Sequence, residues 1–216
     1  MTPMADRNSK QSWTGLLLHG AARYDILVWL VLLGREREFR DKLLRLAHLK
    51  PGESVLDVGC GTGTLAIAAK QHVGQAGTVF GMDASPEMIA RATKKAKKAG
   101  VEVVLKNGLA QALPFPDAQF DIVLTTLMLH HLPRPAREEL AAETRRVLKP
   151  GGRVLAVDFG APGKKSFIDH FHRPHGHVNF DAVKTLLNEA GLEIVESGVV
   201  GIKDLQFVLA SIPCCT

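Results

Sequence analysis

From residue 53 onward, short apolar runs alternate with longer stretches in which apolar residues recur every three or four positions. The short runs read as buried strands: 53–58 (ESVLDV), 78–82 (TVFGM), 102–105 (EVVL), 121–125 (DIVLT) and 153–158 (RVLAVD). The intervening stretches predict helices near 63–73, 86–99, 135–148 and 179–190. Strands that alternate with helices build β-α-β units, and hence a mostly parallel sheet with helices on both faces. The last two apolar runs, 192–199 and 205–212, have no helix between them, so they are expected to pair as an antiparallel hairpin at the sheet edge. The expected fold class is therefore α/β, with seven strands.

Before this core, residues 36–48 carry Phe39, Leu43, Leu44 and Leu46 among charges, the pattern of an amphipathic helix packed on the sheet. Residues 26–33 (ILVWLVLL) form the longest apolar run, and a bilayer span needs roughly 20 apolar residues. The run reads either as a buried helix covering the active site or as a helix lying in a membrane interface. The chain thus divides into an N-terminal helical cover, 1–50, and one domain, 51–216, a size that supports a single substantial core.

Charge and cysteines narrow the setting. The net charge of +5 is modest and spread over several segments, without the basic, aromatic-lined groove that nucleic acid requires. Cys60 sits in a glycine-rich turn and Cys214 and Cys215 at the end, which is no disulfide framework. The start, MTPMADRNSKQ, lacks the features of a secretory signal, so a cytoplasmic protein is expected, with peripheral membrane contact open through the N-terminal helix. Arg91, Lys94, Lys95 and Lys98 fall on one helical face, which reads as solvated, although an anionic membrane surface would also suit it.

The chemistry concentrates in two motifs. In Val55-Leu56-Asp57-Val58-Gly59-Cys60-Gly61-Thr62-Gly63-Thr64-Leu65, an apolar strand runs into three glycines at alternate positions and then into a helix. Glycine lets the backbone bend sharply and a ligand approach the main chain, while the helix N-terminus presents free N–H groups. The dinucleotide turn G-x-G-x-x-G would place its third glycine one residue later, where Thr64 stands. Asp83, at the end of the second strand, suits a clamp on two ribose hydroxyls; Ser85 and Pro86 beside it also read as a helix N-cap and N1 proline.

LDVGCGTGTL, GMDASPEMI, LPFPDAQFDIVL, LHHL and RVLKPGGRVLAVDF, in that order over 53–158, resemble the successive motifs of class I S-adenosylmethionine-dependent methyltransferases, whose fold is Rossmann-like. Within that superfamily they are most similar to the ubiquinone/menaquinone-biosynthesis group. The resemblance implies S-adenosylmethionine as methyl donor and S-adenosylhomocysteine as product. It places Gly59, Cys60 and Gly61 along the methionine part, Asp57 on its ammonium group, Asp83 on the ribose, Ala84 and Met88 beside the adenine, and Thr125 in the cofactor set. Many relatives read G-D-A where this chain reads Gly108-Leu109-Ala110, so the acid that contacts adenine is replaced by Leu109, leaving backbone, apolar packing or Asn107 to hold the base. Tyr24, in ARYD, resembles a tyrosine that closes over cofactor and substrate, and it is read as both a cofactor and a catalytic candidate; its plainer role is a helix aromatic.

Three histidines complete the catalytic candidates. His130 follows the fourth strand at the edge where open α/β sheets bind ligands, next to His131; it reads as a base for the methylated group or as a positioning residue. His175 and His177 belong to a group with His170 and His172 after the fifth strand, which reads as substrate lid, plain loop or metal ligands. No cysteine or helical carboxylate motif accompanies them, and no metal is assigned. The expected function is methyl transfer to a small hydrophobic or lipid-like acceptor such as a quinone or phospholipid amine. A small thiol acceptor, a nucleotide-dependent oxidoreductase and a non-catalytic cofactor-binding subunit are the alternatives.

Overall fold

A computed structural model of the chain describes residues 36–160, 177–202 and 204–213. In chain order the elements are α1 (Glu36–Leu46), β1 (Ser54–Val58), α2 (Thr64–Val73), β2 (Thr78–Asp83), α3 (Pro86–Ala99), β3 (Val104–Asn107), β4 (Phe120–Thr126), a 3-10 turn (Leu129–His131), α4 (Arg134–Val147), β5 (Leu148–Phe159), α5 (Phe180–Glu189), β6 (Glu193–Val199) and β7 (Leu205–Ser211). The strands form one sheet in the order β3-β2-β1-β4-β5-β7-β6. The first five run parallel, and β7 is antiparallel to both β5 and β6. The expected α/β class with its seven strands and C-terminal antiparallel pair is borne out. The hairpin's second strand, β7, inserts against β5 and leaves β6 at the edge.

Strand alternation sorts the core into two layers. Val55, Ile122, Leu124, Leu155 and Val157 face α1 and α2, whose Phe39, Leu43, Leu44, Leu65 and Ala69 cover them. Leu56, Val58, Val123, Val154 and Ala156 point the other way, against Leu140 and Ala141 of α4 and Val183 and Leu187 of α5. The expected amphipathic helix therefore exists as α1, with Leu46 only partly buried beside that first layer. Residues 1–35, including the 26–33 run, lie outside the described residues.

Two strands differ from expectation in extent. β3 begins at Val104, because its ladder starts opposite Phe80 and runs to the Asp83–Asn107 pair. β5 begins at Leu148 and absorbs the LKPGG segment: a register irregularity between Phe120 and Ile122 lets Phe120 pair with Leu148 before regular pairing resumes at Arg153. The LPFPDAQF segment is a packing device. Phe80, Phe115 and Phe120 meet edge to face at 5.2–5.6 Å. Arg146 pins the loop through the carbonyls of Leu113 and Phe115.

Arg153 ties the end of α1 to the sheet. It donates to Ala47 O (2.7 Å), His48 O (2.7 Å) and both Glu53 carboxylate oxygens (2.9 and 2.8 Å). Burial alone would raise the Glu53 carboxyl, but Arg153, with the Lys50 N–H, holds it below its ordinary value. Arg153→Met should lower unfolding free energy by roughly 2 kcal/mol, because a half-buried carboxylate and two carbonyls lose their donor. Urea denaturation checks this, with the loss expected as a lower midpoint at unchanged m-value.

Candidate functional site

The carboxyl ends of β1, β2 and β4 converge on the glycine turn. Gly59 (φ 72°) and Gly63 (φ 76°) occupy the left-handed region, and both are crowded: a Cβ would lie 2.9 Å from Met128 Cβ at Gly59 and 2.8 Å from Ala92 Cβ at Gly63. The N–H groups of Gly59 and Cys60 both donate to Met82 O, at 2.8 and 2.9 Å, which locks the turn to β2.

Two acids flank this turn. Asp57 is buried, 2% exposed. Its carboxylate receives a hydrogen bond from the Ala66 N–H, one of the free donors in the first turn of α2. Its Oδ2 has no partner among the described residues. Burial, and then the charge of Asp83, push its pKa up to about 8. Asp83, at the tip of β2, accepts from Gly61 N at Oδ2 (2.9 Å) and from Ser85 N at Oδ1 (2.8 Å). Burial raises its pKa, against the opposing effect of these two bonds. Each of its oxygens retains a lone pair for a ligand hydroxyl. Ser85 is at the same time the N-cap of α3, accepting from Met88 N at 3.3 Å. Cys60 is a packing residue: burial, followed by the charges of Asp57 and Asp83, raises its thiol pKa and keeps it from acting as a thiolate.

The remaining cofactor candidates lie around this pair. Ala84 is exposed at the sheet edge, whereas Met88 is buried under α3. Gly108, Leu109 and Ala110 come directly after β3, and Gly108 N donates to Asp83 O at 3.1 Å. Asn107 spends its side-chain amide on the same carbonyl at 2.9 Å. Thr125 lines a cavity of about 30 Å³ between the sheet and α4 and α5, and its buried hydroxyl has no partner among the described residues.

A second cluster stands at the ends of β4 and β5. His130 Nδ1 lies 2.7 Å from Oδ1 of Asp158, which is fully buried. The same carboxylate accepts from Phe159 N (2.7 Å) and, at Oδ2, from His130 N (3.1 Å). A carboxylate only accepts, so the hydrogen of this pair sits on Nδ1, and Nε2 is the ring nitrogen turned away from Asp158. Arg137 Nε, reaching back from α4, holds Leu129 O at 2.9 Å and so fixes the turn that carries His130. Asp158 is the candidate site residue that sequence reasoning missed. Its signal is an acid that ends an otherwise apolar strand at the ligand-binding edge. His177 lies one residue before the Gly160–Val178 bridge, at the same end of β5. Tyr24, His170, His172 and His175 are outside the described residues.

This geometry fits a cationic nucleoside ligand. The unpartnered buried oxygen of Asp57 suits an ammonium group, Asp83 suits a diol, and the glycine turn leaves backbone in place of side chains between them. The methyltransferase domain family matches residues 55–152. The demethylmenaquinone methyltransferase of Bacillus cytotoxicus is 36% identical over 141 residues, 65% of this chain and 59% of that protein, so the match spans under two thirds of the relative's length. A solved structure from Bacillus halodurans, described as a methyltransferase, shares 32% identity and a TM-score of 0.63 over 74% of this chain and 71% of its own. An S-adenosylmethionine-dependent methyltransferase from Aquifex aeolicus superposes with a TM-score of 0.72 at 25% identity, covering 91% of this chain and all of the other.

Proposed function

This chain belongs to a methyltransferase family, and from that premise we propose that it uses S-adenosylmethionine to methylate a small hydroquinone-like acceptor, with His130 as the general base. The observation that carries the reading is the His130–Asp158 pair at the edge of the sheet that also bears Asp57 and Asp83. S-adenosylmethionine supplies a methyl group already activated on a cationic sulfur. The protein's tasks are then to bind, align and receive a proton.

Asp57 neutralises the ammonium group, Asp83 holds the ribose hydroxyls, and Gly59, Cys60 and Gly61 border the methionine part. Ala84, Met88 and the Gly108-Leu109-Ala110 segment border the adenine, and Tyr24 closes over the site. The His130 Nε2 lone pair takes the hydroxyl proton of the acceptor, which makes the adjoining ring carbon nucleophilic; that carbon bonds the methyl as the methyl–sulfur bond breaks, and its own hydrogen then leaves as a proton to solvent while His130 returns a proton to the oxygen. Asp158 keeps the hydrogen on Nδ1 and steadies the imidazolium that forms. His175 and His177 contact the acceptor from the segment after β5. The demethylmenaquinone relative favours a quinol over an amine or thiol acceptor. Among the described residues no helix is long and apolar enough to cross a membrane. A quinol with a lipid tail is itself held in a membrane, so the reading includes peripheral membrane contact, for which the apolar 26–33 run is the candidate.

The test is calorimetric titration with S-adenosylmethionine, S-adenosylhomocysteine and NADH, and then methyl transfer to hydroquinone, catechol, amine and thiol acceptors. Binding of both sulfur nucleosides and turnover of hydroquinones is expected. Binding of NADH alone would overturn the donor, and turnover confined to thiols the acceptor.

A further inference from the structure

Lys95 departs from its neighbours on α3. Lys94, Lys97 and Lys98 are exposed, whereas Lys95 is half-buried and turns inward, its amine 2.8 Å from Thr62 Oγ1 and 3.2 Å from Thr64 Oγ1. The two hydroxyls also lie 3.3 Å from one another, and Thr62 is buried, 3% exposed. Thr62 stands between Gly61 and Gly63 in the glycine turn, and Thr64 opens α2. The expectation that Lys95 belongs to a solvated cationic face is therefore corrected. Ala92 and Ala96, one turn apart, bring α3 close enough for the amine to reach, and Ala92 also fills the space a Gly63 Cβ would need.

The amine and the two hydroxyls thus bridge α3 to the glycine turn and the first turn of α2. Gly61, the residue before Thr62, donates to Asp83, and the segment from Asp83 to Ser85 leads into the N-terminus of the same helix that carries Lys95. α3 therefore meets the glycine turn at two places, through the Asp83–Ser85 segment before its N-terminus and through Lys95 further along the helix.

We propose that Lys95 is a positioning residue for the cofactor, pinning the glycine turn through Thr62 and Thr64 so that the Gly61 N–H and the Asp83 carboxylate stay in register for the nucleoside. The inference rests on the S-adenosylmethionine reading of the site.

Its test is the dissociation constant of S-adenosylhomocysteine on the full chain, with melting temperature of the ligand-free protein recorded alongside. Lys95→Met should weaken binding about tenfold, the worth of a hydrogen bond to a charged group. The melting temperature should change little. Lys95→Arg, which keeps a donor, should restore most of the affinity. Thr62→Val removes the other end of the bond, and the double variant should bind no more weakly than the worse single one. Unchanged affinity in Lys95→Met, or strictly additive losses in the double variant, would overturn the proposal. A wild-type protein that fails to bind S-adenosylhomocysteine would instead overturn the cofactor reading itself, and this inference with it.

Discussion

Replacing His130 with asparagine should lower kcat for the hydroquinone acceptor by about 10²–10⁴-fold, the usual worth of a positioned general base. Asparagine is the informative substitution. Its side-chain amide can occupy the place of Nδ1 and still donate to Asp158, so the buried carboxylate keeps a partner and the fold is spared an unpaired charge. It lacks the lone pair at Nε2. Asp158→Asn attacks the same step from behind: an amide there can donate as well as accept, which frees the imidazole to carry its hydrogen on Nε2 and leaves no base facing the acceptor. Both variants should bind S-adenosylhomocysteine within about twofold of wild type, since the glycine turn and Asp83 are held by their own partners, Met82 O, Gly61 N and Ser85 N. Steady-state kinetics with calorimetry decides it. A kcat loss below about tenfold in both variants would remove His130 from the proton transfer and leave it a positioning residue.

The parts of this site differ in how far the chain announces them. Asp57 and Asp83 are legible because they stand at the penultimate and last positions of strands whose apolar pattern is unmistakable, and because the glycines after Val58 and the serine-proline cap after Ala84 set the turn into the succeeding helix. The parallel sheet is legible for the same reason, as period-2 and helical patterns alternate without ambiguity. Asp158 is not legible in its role. It lies 28 residues from His130, and only the β4–β5 pairing brings them together. Lys95 is hidden by its neighbours: four cations at helical spacing look like one solvated face, and the small side chains of Ala92 and Ala96 are a quiet signal that the helix leans on something. The start of β5 escapes because Lys149-Pro150-Gly151-Gly152 has turn composition, while the register irregularity opposite Phe120 lets the ladder run through it.

Asp57→Asn separates the cost of the cofactor site to the fold from its gain to binding. In the free protein Asp57 is buried with one oxygen unpartnered, and its pKa stands at about 8 against an ordinary 3.8. The unfolded chain releases this proton near the ordinary value and the folded chain only near 8, so between them the folded state holds more protons. The stability tied to this group is therefore fully present below about 3.8, drains as pH rises, and is gone above about 8. Asparagine does not titrate. The ligand-free variant should accordingly gain on wild type as pH rises from about 5 to about 8, by several degrees of melting temperature at the alkaline end. Binding should move the opposite way. An ammonium group beside Asp57 favours the carboxylate, so in wild type cofactor binding expels a proton and tightens as pH rises toward about 8. The asparagine variant should bind S-adenosylmethionine about 100-fold more weakly near neutral pH, in line with removing one member of a buried charge pair. It should also lose the pH slope between about 5.5 and about 7.5, a window below the usual range of an α-amino group. Calorimetry in two buffers of different ionisation enthalpy reads proton release directly. Equal release by wild type and variant would place the titrating group elsewhere, whereas a loss of release together with a gain in ligand-free stability would identify Asp57 as the site where fold stability is given up for recognition of the cofactor's charge.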